Sequence, residues 1–270
     1  MLNRAAQGAY PPGSTFKVVT AAGALAADPG LATRTFNCPG FLEVEGYKLT
    51  DLAAHGEVDL SKALAVSCNT TFARLGLSQK AAAFQQAFKA FGLGQDPGLG
   101  VPVRPCTMAS KNEMTAPELA SCAIGQGQLL VSPFHMALVA AAIANEGTIM
   151  QPYLVDSVRD SAGFTIHKAA QRSWQRATNP GIAAMIKEGM IAAVEDGTAR
   201  AARLPGMQVA GKTGSAQNPH GPTHAWFIGF APAEQPAIAV AVVLENAGAG
   251  GALAAPIAGQ LMAAAASRGY

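Results

Sequence analysis

Toward the carboxyl-terminal end, three strand-like runs follow one another: MQVAGKTGSAQ, HAWFIGFAP and AIAVAVVLEN. Glycine- and proline-rich turns separate them, a spacing that predicts antiparallel neighbours in one sheet. A sheet must bury its apolar residues against another layer, and the chain before this block reads mostly as helix. Residues 14–27 predict a helix with Ser14 at its start and Asp28-Pro29-Gly30 as its stop. Residues 35–60 read as short strands or loops. A helical pattern runs from Leu60 to about Leu93, broken around Ser67-Cys68-Asn69 and again at Gly76. Residues 94–118 are loop-rich, with Pro97, Pro102, Pro105 and Pro117. Ser132-Pro133 signals a helix start, a serine cap followed by proline in the first turn; this helix ends at Gly147. Residues 151–176 look β-like, 180–195 helical with Gly197 as the stop, and a last helix follows Pro256. The order predicts an α+β fold: a small antiparallel sheet with a large helical subdomain, without internal repeat or long linker.

Composition narrows the functional classes. Half of the 270 residues are apolar and 13% are charged, which argues against disorder. A net charge of +2, without a cluster of Lys and Arg among aromatics, argues against a nucleic-acid partner. The most apolar stretches, AIAVAVVL and GALAAPIAGQLMAAAA, are too short or are interrupted by glycine and Pro256, so no membrane span is expected. The residues before Ser14 lack the apolar core of a secretory signal. Cys38, Cys68, Cys106 and Cys122 fit no C-x-x-C metal spacing; two disulfides in any of three connectivities, or buried thiols, are both open.

Against this sparse charge, three positions stand out. From Pro11 to Ala27 the only charged residue is Lys17, three residues after Ser14. Residues three apart on a helix share a face, so the amine lies one turn from the hydroxyl. Serine becomes a good nucleophile when a base takes its proton. Lysine serves as that base once burial, or a second cation, lowers its pKa. The helix start also offers backbone N–H groups to a developing negative charge. The plainer alternative is a capping serine with a lysine that extends to water. The second position is ALAVSCNTTFA, uncharged from Ala63 to Ala73. Ser67 and Asn69 are two apart and belong in a turn between helices, where a hydroxyl can relay a proton and an amide can orient the lysine. Asn69 as a simple helix cap is the alternative. The third is VAGKTGSA, in which Lys212 is the only Lys, Arg, Asp or Glu between Arg203 and Glu234. Gly211 and Gly214 flank it, as where a ligand backbone comes close to a strand. A cation followed by the hydroxyls of Thr213 and Ser215 suits a carboxylate. A solvated edge-strand lysine is the alternative.

The three sets stand in the order S-x-x-K, S-x-N, K-T-G, and S-x-x-K and K-T-G occur with S-D-N in penicillin-binding proteins and class A β-lactamases. With NRAAQGAYPPGSTFKVVTAA, SCNTTFA, AIGQGQLLVSPFHMALVAAAIANEG, GTARAA, HAWFIGFAP, VVLEN and GGALAAPIA, the chain resembles, over essentially its whole length, the transpeptidase domain of a penicillin-binding protein of the class B, monofunctional, actinobacterial kind. The resemblance implies a D,D-transpeptidase. Ser14 would attack the D-Ala-D-Ala bond of a peptidoglycan stem peptide, with Lys17 as base and Ser67 as proton relay. Asn69 would position Lys17 and the substrate amide. Lys212, Thr213, Gly214 and Ser215 would hold the terminal carboxylate, and the N–H groups of Ser14 and Ser215 would form the oxyanion hole. An amine of a neighbouring stem would resolve the acyl-enzyme, and β-lactams would acylate Ser14. The resemblance also implies no metal or organic cofactor, an extracytoplasmic and membrane-associated parent protein, and work beside a glycosyltransferase partner.

The family's domain begins well before the nucleophile, whereas thirteen residues precede Ser14. Residues 1–270 are therefore expected to be a transpeptidase domain lacking its first strands, with the anchor and the non-catalytic domain absent. Ser215 stands where the family often has threonine. A serine β-lactamase shares the serine and both lysines but must also hydrolyse its acyl-enzyme, which class A enzymes do with a glutamate-held water; the sequence offers no convincing counterpart, and cysteine stands in the middle of S-x-N. A non-catalytic β-lactam or muropeptide sensor, or a truncated remnant, is the other alternative. His55, His135, His167 and His220 show no ligand spacing and are expected to cap or pack. His224 is expected either to line the cleft or to be structural, and one of Trp226 and Phe227 to face the core. The GQG of Gly125 to Gly127 predicts a tight loop with no phosphate role.

Overall fold

The computed structural model describes residues 2–108, 114–219 and 221–269. His220 therefore lies outside the described residues. After a short helix α1 (Arg4–Gln7) the chain makes a 3-10 turn, Gly13–Phe16, that runs directly into helix α2 (Lys17–Ala27). Ser14 is thus inside a tight turn and caps nothing, which corrects the helix start expected at that residue. The turn begins with Gly13 at φ +55°, its N–H donating to the Gly125 carbonyl at 2.9 Å. Asp28 ends α2 as expected.

Four short strands follow: β1 (Phe36–Cys38) pairs with β4 (Gly56–Val58), and β2 (Phe41–Val44) forms a hairpin with β3 (Tyr47–Thr50). Helix α3 (Leu60–Ala65) stops at a turn in which Ser67 has φ +62°, and α4 (Asn69–Ala90) starts immediately after it. The interruption expected at Gly76 is absent. A Cβ at Gly76 would lie 2.3 Å from the Ala123 Cβ of α5 (Ala116–Ala123), so this glycine permits close helix packing. The helical dihedrals fail instead at Lys80, with φ +59°.

Helix α6 (Pro133–Ala144) has the Ser132 cap read from the sequence, its side chain accepting from the His135 N–H. The β-like stretch resolves into two antiparallel pairs. β5 (Thr148–Met150) pairs with β8 (Ser173–Arg176), and β6 (Ser157–Arg159) with β7 (Thr165–Lys168). Helix α7 (Pro180–Glu195) leads to the sheet of β9 (Ala210–Ala216), β10 (His224–Ala231) and β11 (Ile238–Leu244), in the order β11-β10-β9 and antiparallel throughout.

Side chains alternate across a strand, and β10 uses both faces. Trp226, Ile228 and Phe230 enter the core that includes Met136 and Val139 of α6. Ala225 and Phe227 enter a second core with Ala254, Ala255, Ala258 and Met262 of helix α8 (Gly250–Ala266). Trp226 and Phe227 are therefore both buried, where one was expected to be, because helices cover the sheet on its two sides. Helix α8 begins at Gly250, six residues before Pro256 and so ahead of the expected start, and carries that proline inside it. The proline leaves the Ala252 carbonyl without its helical partner, and Ala252 is exposed, so water can take that bond. Close approach selects glycine at the first position: a Cβ on Gly250 would lie 2.2 Å from the Gly214 carbonyl. All four cysteines are buried free thiols.

Candidate active site

In a 3-10 turn residues i and i+3 eclipse one another, and the Lys17 N–H donates to the Ser14 carbonyl. Ser14 and Lys17 therefore face one side at the junction of turn and helix. The turn is held from three directions. Gly125 accepts from the Gly13 N–H, the Trp226 Nε1–H donates to the Pro11 carbonyl at 3.0 Å, and β9 lies against it. A Cβ on Gly214 would fall 2.8 Å from the Pro12 carbonyl oxygen. Only a glycine in the K-T-G strand lets the Ser14 turn sit this close.

Lys17 is completely buried. Its Nζ donates to the Ser67 carbonyl at 2.6 Å and Asn69 Oδ1 at 2.7 Å, with Ser67 Oγ at 3.2 Å. The positive φ of Ser67 lets one residue present carbonyl and hydroxyl to the same amine. Asn69 stands at the first position of α4, Cys68 being the cap, and its Nδ2 donates to the Thr50 carbonyl. The capping role considered for Asn69 thus belongs to its neighbour. Burial pushes the Lys17 amine down to about 7, against the attraction of Asp51, Cys68 and Cys38, which favours the charged form.

Antiparallel register puts Lys212 opposite Ile228 and Thr213 opposite Phe227. Directly opposed residues share a face, so Lys212 points toward the face that Ile228 packs on α6 and Thr213 toward the α8 face. Lys212 is also completely buried, its Nζ donating to the Thr213 carbonyl at 3.1 Å. Burial first, then the charge of Lys17, lower its pKa well below the usual lysine value. The solvated edge lysine is excluded by this burial.

A cleft of about 410 Å³ is lined by Ser14, Ser67, Asn69, Thr213, Gly214 and Ser215, with Leu52, Thr198, Ala249 and Gly251 completing its wall. The structure thus brings the three sequence sets to one opening, with Lys17 and Lys212 buried beside it. Thr213 Oγ1 donates to Thr198 Oγ1 at 2.8 Å, and Ser215 Oγ accepts from the Gly250 N–H at 3.2 Å.

Several supporting residues escaped the sequence reading. Asp51 accepts the Asn69 N–H at 2.6 Å and the Thr70 N–H at 2.8 Å, so it fixes the S-x-N turn from outside. Burial raises its carboxyl, but these two N–H groups, Lys17 and Cys38 hold it below the usual carboxylate value. Asp51 is 18 positions from Asn69 and no local pattern marks the pair. Thr198 lies within GTARAA, and Trp226 within HAWFIGFAP. His224 is structural: its Nδ1 accepts from the Asn246 N–H, and it is absent from the cleft wall. His135 is buried between Ser132 and the Gln95 carbonyl, whereas His167 is exposed on β7 and neither caps nor packs. The Gly125–Gly127 loop is tight, with positive φ at both glycines, and it supports the turn that carries Ser14.

The chain matches the family described as penicillin binding protein transpeptidase domain over residues 1–263. It is 38% identical to the peptidoglycan D,D-transpeptidase PbpA of Mycolicibacterium smegmatis, across 100% of this chain and 57% of the relative. It is likewise 38% identical to PbpA of Mycobacterium tuberculosis, across 95% of this chain and 55% of the relative. The chain thus spans about half the length of the curated relatives it matches. Among solved structures, penicillin-binding protein A of M. tuberculosis as a ceftriaxone acyl-enzyme superposes with a TM-score of 0.90 at 36% identity, covering 98% of this chain and 62% of that one. The D,D-transpeptidase domain of a peptidoglycan glycosyltransferase from Eggerthella lenta gives a TM-score of 0.89 at 32% identity, covering 99% and 68%. With the three motifs converging on one cleft, the chain belongs to the penicillin-binding protein transpeptidase domain family.

Proposed function

We propose that residues 1–270 form a serine D,D-transpeptidase domain that cross-links peptidoglycan stem peptides and is acylated by β-lactams. The observation that carries this reading is the buried Lys17, whose Nζ is held by Ser67 and Asn69 at the edge of the cleft that Ser14 lines. An amine with a pKa of about 7 is neutral in a large fraction of molecules near neutrality. It takes the Ser14 proton as Oγ attacks the carbonyl of the D-Ala-D-Ala peptide bond. The N–H groups of Ser14 and Ser215 stabilise the oxyanion. The C–N bond then breaks, and Ser67 passes the proton from Lys17 to the departing D-alanine amine. An amine of a neighbouring stem attacks the Ser14 ester, loses its proton back to Lys17 and frees the serine.

Thr213 turns its hydroxyl proton from Thr198 to the terminal carboxylate, Ser215 donates a second, and Gly214 leaves room for the substrate backbone. The bound carboxylate supplies the counter-charge that lets the buried Lys212 hold a proton. Asn69 orients Lys17 and the substrate amide. No carboxylate lines the cleft among the described residues, so the glutamate-held water of a class A β-lactamase has no counterpart in that wall. The parent protein acts outside the cytoplasm, anchored to the membrane and beside a glycosyltransferase. Among the described residues no helix of this chain is long and apolar enough to cross a membrane.

The test is labelling with a fluorescent penicillin, wild type beside Ser14→Ala, followed after excess drug is removed. Persistent label on wild type and none on the variant is the expected result. Rapid loss of label with destruction of the drug overturns the transpeptidase reading in favour of a hydrolase. Label without transfer to an acceptor amine favours a sensor.

A further inference from the structure

The wall of the cleft carries almost no apolar bulk. Among the described residues it presents hydroxyls, one amide, glycines and an alanine, with Leu52 as the single large apolar side chain. That leucine is 92% exposed, more than any other large apolar side chain among the described residues. An isolated exposed leucine is ordinary on a protein surface. This one differs in where it stands and in how firmly the chain holds it there. We propose that Leu52 is a specificity-determining residue of the cleft, receiving the apolar arm that a donor carries on the acyl side of the scissile bond. The inference rests on the transpeptidase reading and adds to it the class of group that the donor site favours.

Local structure fixes the leucine at the rim. Strand β3 ends at Thr50, whose carbonyl accepts from Asn69 Nδ2 at 2.8 Å. The next residue, Asp51, donates its N–H to the Gly40 carbonyl at 2.9 Å. Its carboxylate accepts the Asn69 N–H at 2.6 Å and the Thr70 N–H at 2.8 Å. Leu49, on β3 just before these two residues, is buried and ties the strand to the core. The pair that precedes Leu52 is therefore anchored both to its own hairpin and to the start of α4. Folding the leucine inward would break the brace on the turn that holds Lys17.

The polar groups of the cleft decide which part of a ligand meets it. Thr213 and Ser215 of β9 take the terminal carboxylate, so the leaving D-alanine lies on their side. Asn69 orients the substrate amide, and Leu52 is tied to Asn69 through Thr50 and Asp51. In a stem peptide the reacting carbonyl has the carboxylate-bearing D-alanine on one side and the rest of the chain on the other. In a penicillin the carboxylate and the acylamino arm likewise stand on opposite sides of the lactam carbonyl. With the carboxylate on β9 and the carbonyl at Ser14, the remaining arm runs toward Asn69 and Leu52.

An apolar side chain held in water contributes binding free energy in proportion to the apolar area a ligand covers. Because the rest of the described wall is polar or small, that contribution comes from Leu52. The arms that fit are a long aliphatic side chain on the residue preceding the D-Ala-D-Ala pair, or an aromatic acyl group on a β-lactam. A short or strongly polar arm gains nothing from it. The leucine touches no reacting atom, so it acts on the capture of the donor and leaves the chemical step to Ser14 and Lys17.

The test is acylation kinetics of the full chain beside Leu52→Asn, resolved into the dissociation constant before acylation and the rate constant of acylation. Benzylpenicillin supplies an apolar arm, and the bare penicillin nucleus has the same carboxylate and lactam without it. Leu52→Asn should weaken the dissociation constant for benzylpenicillin about fivefold, the worth of covering part of one leucine side chain. The rate constant for benzylpenicillin and both constants for the bare nucleus should stay as in wild type. Leu52→Met keeps the apolar area and should restore benzylpenicillin binding. A tripeptide donor with a long aliphatic residue before D-Ala-D-Ala should lose in KM alone, and one with glycine there should lose nothing. Since Leu52 is 92% exposed, the variants should unfold at the wild-type Tm. Equal losses for both penicillins, a loss confined to the rate constant, or an unchanged benzylpenicillin constant overturns the proposal. Wild type that is not acylated at all overturns the transpeptidase reading and this inference with it, whereas acylation without an arm-dependent loss overturns this inference alone.

Discussion

If Lys17 is the base, the pH dependence of acylation follows from where its amine is held. The groups around it are Asp51, Cys68 and Cys38, whose attraction favours the charged form, and the second buried amine, Lys212. Burial outweighs the attraction and leaves the pKa at about 7. The neutral form is the reactive one, so the rate constant for acylation by a penicillin should rise with pH and level off above neutrality. Below the midpoint it should fall about tenfold per pH unit, so roughly thirtyfold between the plateau and pH ~5.5. An unperturbed lysine, near 10.4, would be neutral in fewer than about one molecule in a thousand at pH 7, and the rate would climb through the whole accessible range. Stopped-flow acylation from pH ~5.5 to ~9 separates the two cases, with circular dichroism confirming that the fold persists. A flat profile, or one still rising tenfold per unit at pH ~9, refutes Lys17 as a base tuned by burial. Lys17→Arg should abolish the profile with the activity, because a guanidinium stays charged.

Two further outcomes depend on packing and on the cleft wall. Gly76→Ala drives a Cβ to 2.3 Å from the Ala123 Cβ; overpacking of this kind costs about 1–3 kcal/mol, so denaturant unfolding should shift by that amount while per-molecule acylation is unchanged. Thr213→Val removes the hydroxyl proposed to donate to the carboxylate, which in the free chain donates to Thr198. It should weaken acylation by carboxylate-bearing β-lactams about tenfold, corresponding to ~1.4 kcal/mol, and titration of kcat against KM should place the loss mainly in KM.

The contrast between what was legible early and what was not follows the range of the interactions. The three strands of the sheet, the Ser132 cap and the Asp28 stop depend on patterns a few residues long, and the chain shows them without folding. The pairing of Ser14 with Lys17 is equally local, since one turn of backbone sets it. Gly76 and Pro256 were misread because each resembles a local breaker. At Gly76 the deciding neighbour is Ala123 on another helix. At Pro256 the helix had already started at Gly250, against the carbonyl of Gly214. The burial of Phe227 together with Trp226 required knowing that α8 returns to cover the second face.

The site divides in the same way. Sequence by itself marked out the residues gathered at and beside the cleft: a serine three positions from a lone lysine, a serine and an amide across one turn, and a lysine with two hydroxyls on a strand. Tertiary structure alone decided that the two amines are buried, that Asp51 braces the S-x-N turn from 18 positions away, and that Leu52 stands in the cleft wall. The physical reason is that desolvation and donor geometry depend on atoms brought together through space, and burial sets the lysine pKa only when the core closes around it.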